Sequence, residues 1–544
     1  GEMRPHEPFR SGHEHGAAAV EIAEIALEQR DRLLVPERVV RGRSHDGKMP
    51  EGADMSMPAT RKSAVRSGIQ TAVSMLAISG SAALAGALLA QKFGRGADTD
   101  GFMAAYGIYL VLVLGAQAVR MVVVPDLTRA AAEGALGREV RGYVLALLAI
   151  AAPAALAAVV FRGPIGDALT GSTEAAHVAA RSLPWLLPAA FMQLLASIAT
   201  SALAARDSYG VAALAYSSGS IASVIVFLAL ADAHGLVSLA WGLFAGALIT
   251  LTLPVVALAR GHDLGHVREG GAAILPRLGR LGRGAAVPLA NQGLYLIALA
   301  FSAHLGVGSA TSLSYAYLLA ATLCTATASA LSLISAAPLT RRGLDVESAA
   351  RHVVHASWLS LVLIAAAAGV FALVGGRVVG WVLGSAYTGD VGGELGRLFV
   401  AFAPWMLVTV ALTSTFPLVF VMERSRFLVV VAVGAIALDV PLTLAFRAAF
   451  GLEGIALALA VTTFGVLLAL SAGVSRRMLV LSVVGLARLA VAVGVLAGLS
   501  FGLVSLVLGG FPAAAVGLAL YGLLLALWRP RGLREAWIYV RALH

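Results

Sequence analysis

The chain has 544 residues, 59% of them hydrophobic and 13% charged, with a net charge of +10 and a mean hydropathy of +0.85. Soluble domains carry about 25% charged residues, so these few charges cannot coat a water-soluble fold, but they suit a chain solvated by lipid. The basic residues do not point to nucleic acid, because most sit in short segments between apolar runs, where they act as topology signals.

Apolar runs of about 20 residues or more can cross a hydrocarbon core as helices, and they lack the period-two alternation of barrel strands. Cys324, the single cysteine, excludes an intramolecular disulfide and a thiolate metal site. Residues 1–67 are polar, with four of the twelve histidines and eleven Lys/Arg, and read as a disordered cytoplasmic tail. Within them Ala17 to Leu34 has the pattern of an amphipathic surface helix, and Met55 or Met57 could be the true start. Helices are then expected at 68–91, 101–124, 140–161, 177–204, 209–231, 235–259, 284–305, 309–337, 353–375, 396–421, 427–446, 453–474, 480–505 and 511–528. Taken in alternation, the connecting segments hold twenty-three Lys/Arg on one side and seven on the other. That split places the first set, and both termini, in the cytoplasm.

The chain carries signs of an internal duplication. Residues 93–106, FGRGADTDGFMAAY, resemble residues 305–317, LGVGSATSLSYAY, and PDLTR at 125–129 resembles PLTRR at 338–342. Gly96 precedes Pro125 by 29 residues and Gly308 precedes Pro338 by 30. Both copies begin on the same side, which implies a pseudo-twofold axis along the membrane normal and a cavity between two lobes. The expected organisation is an all-α membrane fold of about fourteen helices. Its parts are an N-terminal lobe (68–260), a basic linker (261–283), a C-terminal lobe (284–475), two further helices (476–528) and a basic cytoplasmic tail (529–544).

The segment LLAQKFGRGADTDGFMAAY followed by VVVPDLTRA resembles the start of the MurJ/MviN lipid II flippases, within the multidrug/oligosaccharidyl-lipid/polysaccharide (MOP) exporter superfamily. That family has a Phe-Gly-x-Gly turn, an Asp and an aromatic before a second helix ending in Val-Pro, and fourteen helices in all. The second lobe agrees at Asn291–Gln292, at Gly308 through Tyr315–Ala316 and at Pro338–Leu339. The resemblance implies translocation of a lipid-linked saccharide precursor, lipid II or another polyprenyl-linked glycan, by alternating access in the cytoplasmic membrane. The family also carries cavity arginines on helices one, two and eight. The matching positions here read Ser79 and Ala85, a site near Val113, and Leu318. Their loss favours a different lipid-linked glycan, or a non-transporting scaffold that recruits cell-envelope synthesis proteins. A multidrug-type cation antiporter is a third reading, although it calls for an acidic cavity and about twelve helices.

A charge within hydrocarbon costs roughly 2.5–3.5 kcal/mol or more, so each one asks for a reason. Arg120, just before Pro125, either grips a lipid phosphate from the cavity or snorkels to the inner interface. Asp439, in the middle of helix eleven, either carries a proton or Na⁺ or pairs with Arg488 of helix thirteen; pairing is the favoured reading. Asp98 and Asp100 form an external gate or cap helix two, with capping favoured. Asn291, Gln292, Tyr315 and Tyr317 offer hydrogen bonds to sugar hydroxyls, or glue helices together. Gly94, Gly96, Pro125, Gly306, Gly308 and Pro338 are the expected turns and pivots. His352, His355 and Trp358 read as an interfacial cluster, and no metal is assigned. Without a P-loop or a nucleophile motif, the chain reads as a transporter that needs no cofactor and not as an enzyme.

Overall fold

Backbone in lipid must satisfy its own hydrogen bonds, and every apolar run described is helical. The computed structural model describes residues 80–206, 208–260, 274–324, 346–421 and 427–528. The N-terminal tail, the first half of helix one with Ser79, Pro338 and the basic C-terminal tail lie outside these residues, as does linker segment 261–273. All described residues belong to the unit Lys62–His544. In the first lobe, α1 covers residues 80–93. It is followed by α2 (Ala97–Ala132), α3 (Leu136–Val160), the short α4 (Arg162–Leu169), α5 (Thr173–Ala204), α6 (Tyr209–His234) and α7 (Val237–Arg260). The second lobe comprises α8 (Ile274–Ala303), α9 (Ser309–Cys324), α10 (Val346–Leu383), α11 (Asp390–Ala401), α12 (Ala403–Val421) and α13 (Leu428–Val474). Two further helices follow, α14 (Arg476–Ser505) and α15 (Gly510–Trp528).

Among the described residues nine helices are long and apolar enough to cross a membrane, or ten if the pair α11–α12, bent by 40°, is one span. The helix α13 contains two spans. Its 47 residues would reach about 70 Å as one rod, more than twice a hydrocarbon core. The backbone breaks at Gly451, with φ 60° and ψ −131°. Thr462 then donates to Asp439 Oδ1 at 2.8 Å, two residues almost equally far from Gly451, as an antiparallel hairpin requires. With α11–α12 counted once, α13 twice and the short α4 set aside, the described helices reproduce the order of the fourteen expected.

Boundaries differ where side chains from elsewhere intervene. The sequence places helix seven from residue 284, yet α8 begins at Ile274 and takes Arg277, Arg280 and Arg283 into its first turns. Pro125 is not a turn: it lies inside α2, which runs on to Ala132. The Asp126–Arg129 ion pair and the Thr128 hydroxyl, which donates to Val124 O, support the continuing turn.

In the first lobe α5 is the central helix, packed on α2, α3 and α7. Buried Val123, Leu127, Tyr143, Leu147, Leu194, Ile198 and Leu258 fill the space between these four helices. The lobes meet where α2 runs along α8. Their approach is set by small residues: a Cβ on Gly107 would lie 2.8 Å from Leu299, one on Gly115 2.6 Å from Leu289, and one on Gly284 2.0 Å from Val122. The pair α14–α15 docks on α10 through Leu496, Phe501 and Tyr521, whose hydroxyl donates to Val362 O.

Candidate functional site between the lobes

At one end of the seam, Asp100 joins the lobes. A helix N-terminus leaves its first amides unpaired and concentrates positive charge there. Asp100 stands in the first turn of α2, but that helix is capped at Gly96 without any side-chain bond. The expected capping of helix two by Asp100 is therefore corrected. Its carboxylate reaches across to α9 and accepts the amides of Gly308 and Thr311, at 2.5 and 2.8 Å, and the Thr311 hydroxyl. The charge, 6% exposed, thus lies between the positive ends of two helices, one from each lobe.

Further bonds brace this end. Arg95 donates through Nε to Gly308 O and through Nη2 to Glu394. Tyr387, in the turn between α10 and α11, donates to Gly94 O at 3.0 Å, and Gln91 donates to Val382 O at 2.9 Å. Burial raises the Tyr387 phenol above its ordinary range, which keeps it a donor. Gly94, Gly306 and Gly308 have φ of 66°, 145° and 86°; Gly96 is extended, φ −164°. At Gly308 a Cβ would also strike Arg95 at 2.3 Å, so both its backbone and its lack of a side chain are needed. Sequence reasoning missed Arg95, Glu394 and Tyr387. Their only signal was a pair of charges beside glycine-rich turns.

The middle of the seam is aromatic. Tyr295 of α8 and Tyr317 of α9 stack at 3.9 Å, and Tyr317 also meets Phe402 and Trp405. The Tyr317 hydroxyl donates to Gln292 Oε1 at 3.0 Å, that of Tyr295 to Ser314, and that of Tyr315 to Gly86 O. Three of the four residues expected to offer hydrogen bonds to sugars are thus engaged with protein. Asn291 is the exception, because its buried Oδ1 has no hydrogen-bond partner among the described residues.

The opposite end is basic and joins the lobes a second time. Glu139 of α3 takes a two-pronged pair of bonds from Arg277 of α8, at 3.0 and 2.6 Å. The Arg277 guanidinium fits because position 142 is glycine; a Cβ there would lie 2.5 Å from it. Asp126 accepts from Arg129, from Arg280 of α8 and from the Tyr143 hydroxyl. These arginines were read only as topology signals.

Two charges lie within the lobes. Arg120 donates to Thr200 of α5 and to the hydroxyl of Tyr216 of α6, with its guanidinium carbon 4.9 Å from the Tyr216 ring centre. Both partners are neutral. Asp439, 0% exposed, accepts from Thr462 through Oδ1, while Oδ2 has no hydrogen-bond partner among the described residues. Arg488 is exposed on α14, so the expected Asp439–Arg488 pair is not formed.

Neither a protein-family model nor a curated protein sequence matches the chain. Solved structures do. A lipid II flippase MurJ in an inward-closed conformation superposes with TM-score 0.67 at 15% identity, covering 85% of this chain and 98% of that one. This chain has the fold of the MOP superfamily. An inward-facing multidrug resistance MATE transporter of that superfamily gives TM-score 0.60 at 12% identity, covering 79% and 98%. A MOP superfamily transporter from Pyrococcus furiosus, described by the reverse polarity of its binding pocket, gives 0.56 at 16%, covering 82% and 99%. At such identities the likeness is one of fold, and within this MOP fold the chain's own side chains must supply the functional argument.

Proposed function

We propose that the chain translocates a lipid-linked saccharide precursor across the cytoplasmic membrane by alternating access, with its basic end in the cytoplasm. The reading is carried by the two latches, one at each end of a single seam between the lobes. Each is built of hydrogen bonds and ion pairs rather than of a continuous apolar core, so one end can part while the other holds. Between them stands the Asn291 carbonyl, which has no hydrogen-bond partner among the described residues and can accept from a sugar hydroxyl. Arg120, a guanidinium in the spanning region with only neutral partners, retains donors for a phosphate. Asp439 is the coupling carboxylate: without a cationic partner, a carboxylate this enclosed must hold a proton or a small cation such as Na⁺.

Depletion of the protein in its own cell, followed by measurement of lipid-linked intermediates, tests the assignment. A polyprenyl-linked saccharide is expected to accumulate on the cytoplasmic leaflet. Unchanged intermediates with altered drug sensitivity would instead indicate a cation antiporter, and unchanged values of both a scaffold.

A further inference from the structure

The geometry points to an anionic-phospholipid site in the groove between α10 and α11, where Arg377 and Arg397 hold the lipid phosphate. The groove has a volume of about 960 Å³ and is lined by Phe371, Arg377, Trp381, Arg397 and Val400, over a floor of glycines. The floor exists because the two helices touch backbone to backbone. A Cβ on Gly376 would lie 2.9 Å from Gly392, and one on Gly392 2.6 Å from Gly376 O. Larger residues at this crossing would force the two helices apart.

The groove lies at the Asp100 end of the molecule, because Val382 and Tyr387 are tied there to Gln91 and Gly94. Trp381 is 85% exposed, as an interfacial tryptophan is. From Trp381 to Phe371 the wall descends ten residues along α10, about 15 Å, which takes it from headgroup level into hydrocarbon. Arg377 is exposed one turn below Trp381, and its guanidinium lies against Gly510 at the start of α15. Arg397 is paired through Nε with Glu453 at 3.3 Å, so the two guanidiniums exceed the carboxylate by one charge. Charges of this sign are scarce at this end of the molecule, yet two line one amphipathic groove. Phosphate above and acyl chain below is the ligand with matching chemistry. The inference does not depend on the transport reading.

The test uses the full-length protein in nanodiscs of phosphatidylcholine, doped with spin-labelled phosphatidylglycerol or spin-labelled phosphatidylcholine. The immobilised fraction of each label reports its association. Phosphatidylglycerol is expected to associate about fivefold more strongly, the effect of about one net interfacial charge. Arg377→Gln, a change at an exposed side chain, should remove most of that preference, and Arg377→Gln with Arg397→Gln all of it. Gly393→Leu keeps both charges but fills the groove, since a Cβ at Gly393 meets only Arg397, at 3.6 Å; it should abolish the preference equally. A preference that survives Gly393→Leu would mean diffuse charge attraction and would overturn the site. So would equal association of the two lipids in the unmodified protein, or displacement of the label by inorganic phosphate alone.

Discussion

Asp100 gains its position from a helix it does not belong to. On α2 it looks like an ordinary first-turn acid. Its bonds instead go to Gly308 and Thr311, residues 208 and 211 positions away. Asp100→Asn keeps the size and one acceptor but sets an amide donor against a backbone donor. Charge-assisted bonds of this kind are worth about 1.5–3 kcal/mol each, so the Asp100 end should open at a readily measured equilibrium cost. The buried Cys324 is the only native cysteine, which allows a clean probe. In a Cys324→Ala background, Ala104→Cys places a thiol at a buried position one turn below Asp100. Aqueous maleimide should modify it at least about tenfold faster when Asp100→Asn is added. An unchanged rate would show that Asp100 caps α9 without holding the lobes together.

At the scale of elements, the helices were legible because lipid demands long uninterrupted apolar runs. What was hidden depended on distant partners. Residues 274–283 read as a basic linker, and they become the start of α8 through Glu139 and Asp126, 138 and 154 positions away. Asp439 was legible as a residue that needed a reason, but its surroundings were not. The turn at Gly451 was legible as the gap between the helices expected at 427–446 and 453–474, but a linear reading does not say that Thr462 meets Asp439 across it, or that Arg488 faces outward on α14. The hairpin makes Asp439 a discriminating target. Asparagine has the same shape and can still accept from Thr462, so Asp439→Asn should leave the thermal midpoint unchanged or raise it, since it removes an enclosed carboxyl. The same substitution should abolish the pH or Na⁺ dependence of transport in vesicles. Dependence retained at full strength would remove Asp439 from the coupling, and a large fall in midpoint would make its role structural.

For the whole molecule, the decisive property is that both ends of the seam are closed together. Alternating access then requires each latch to be weak enough to break alone, and each to oppose the opening of its own end. The Glu139–Arg277 pair is the more tightly enclosed contact at the basic end, with side chains 18% and 12% exposed. Breaking such a pair by removing one partner typically costs about 3–5 kcal/mol, because the other charge is left stranded. Glu139→Arg and Arg277→Glu should therefore each lower the thermal midpoint and expose the basic end of the seam to modification. Combined, they restore opposite charges across the same gap. The recovery should be partial, since only position 277 has a glycine, Gly142, making room for a guanidinium. A coupling energy of about 1–3 kcal/mol from the double-mutant cycle is the expected outcome. Transport gives the second readout: the single reversals should slow the cycle by trapping the basic end open, and the double reversal should recover rate along with stability. If the doubly reversed protein is no more stable than the weaker single variant, the pair is an incidental surface contact, and the latch at that end must rest on Asp126 and Arg280 instead.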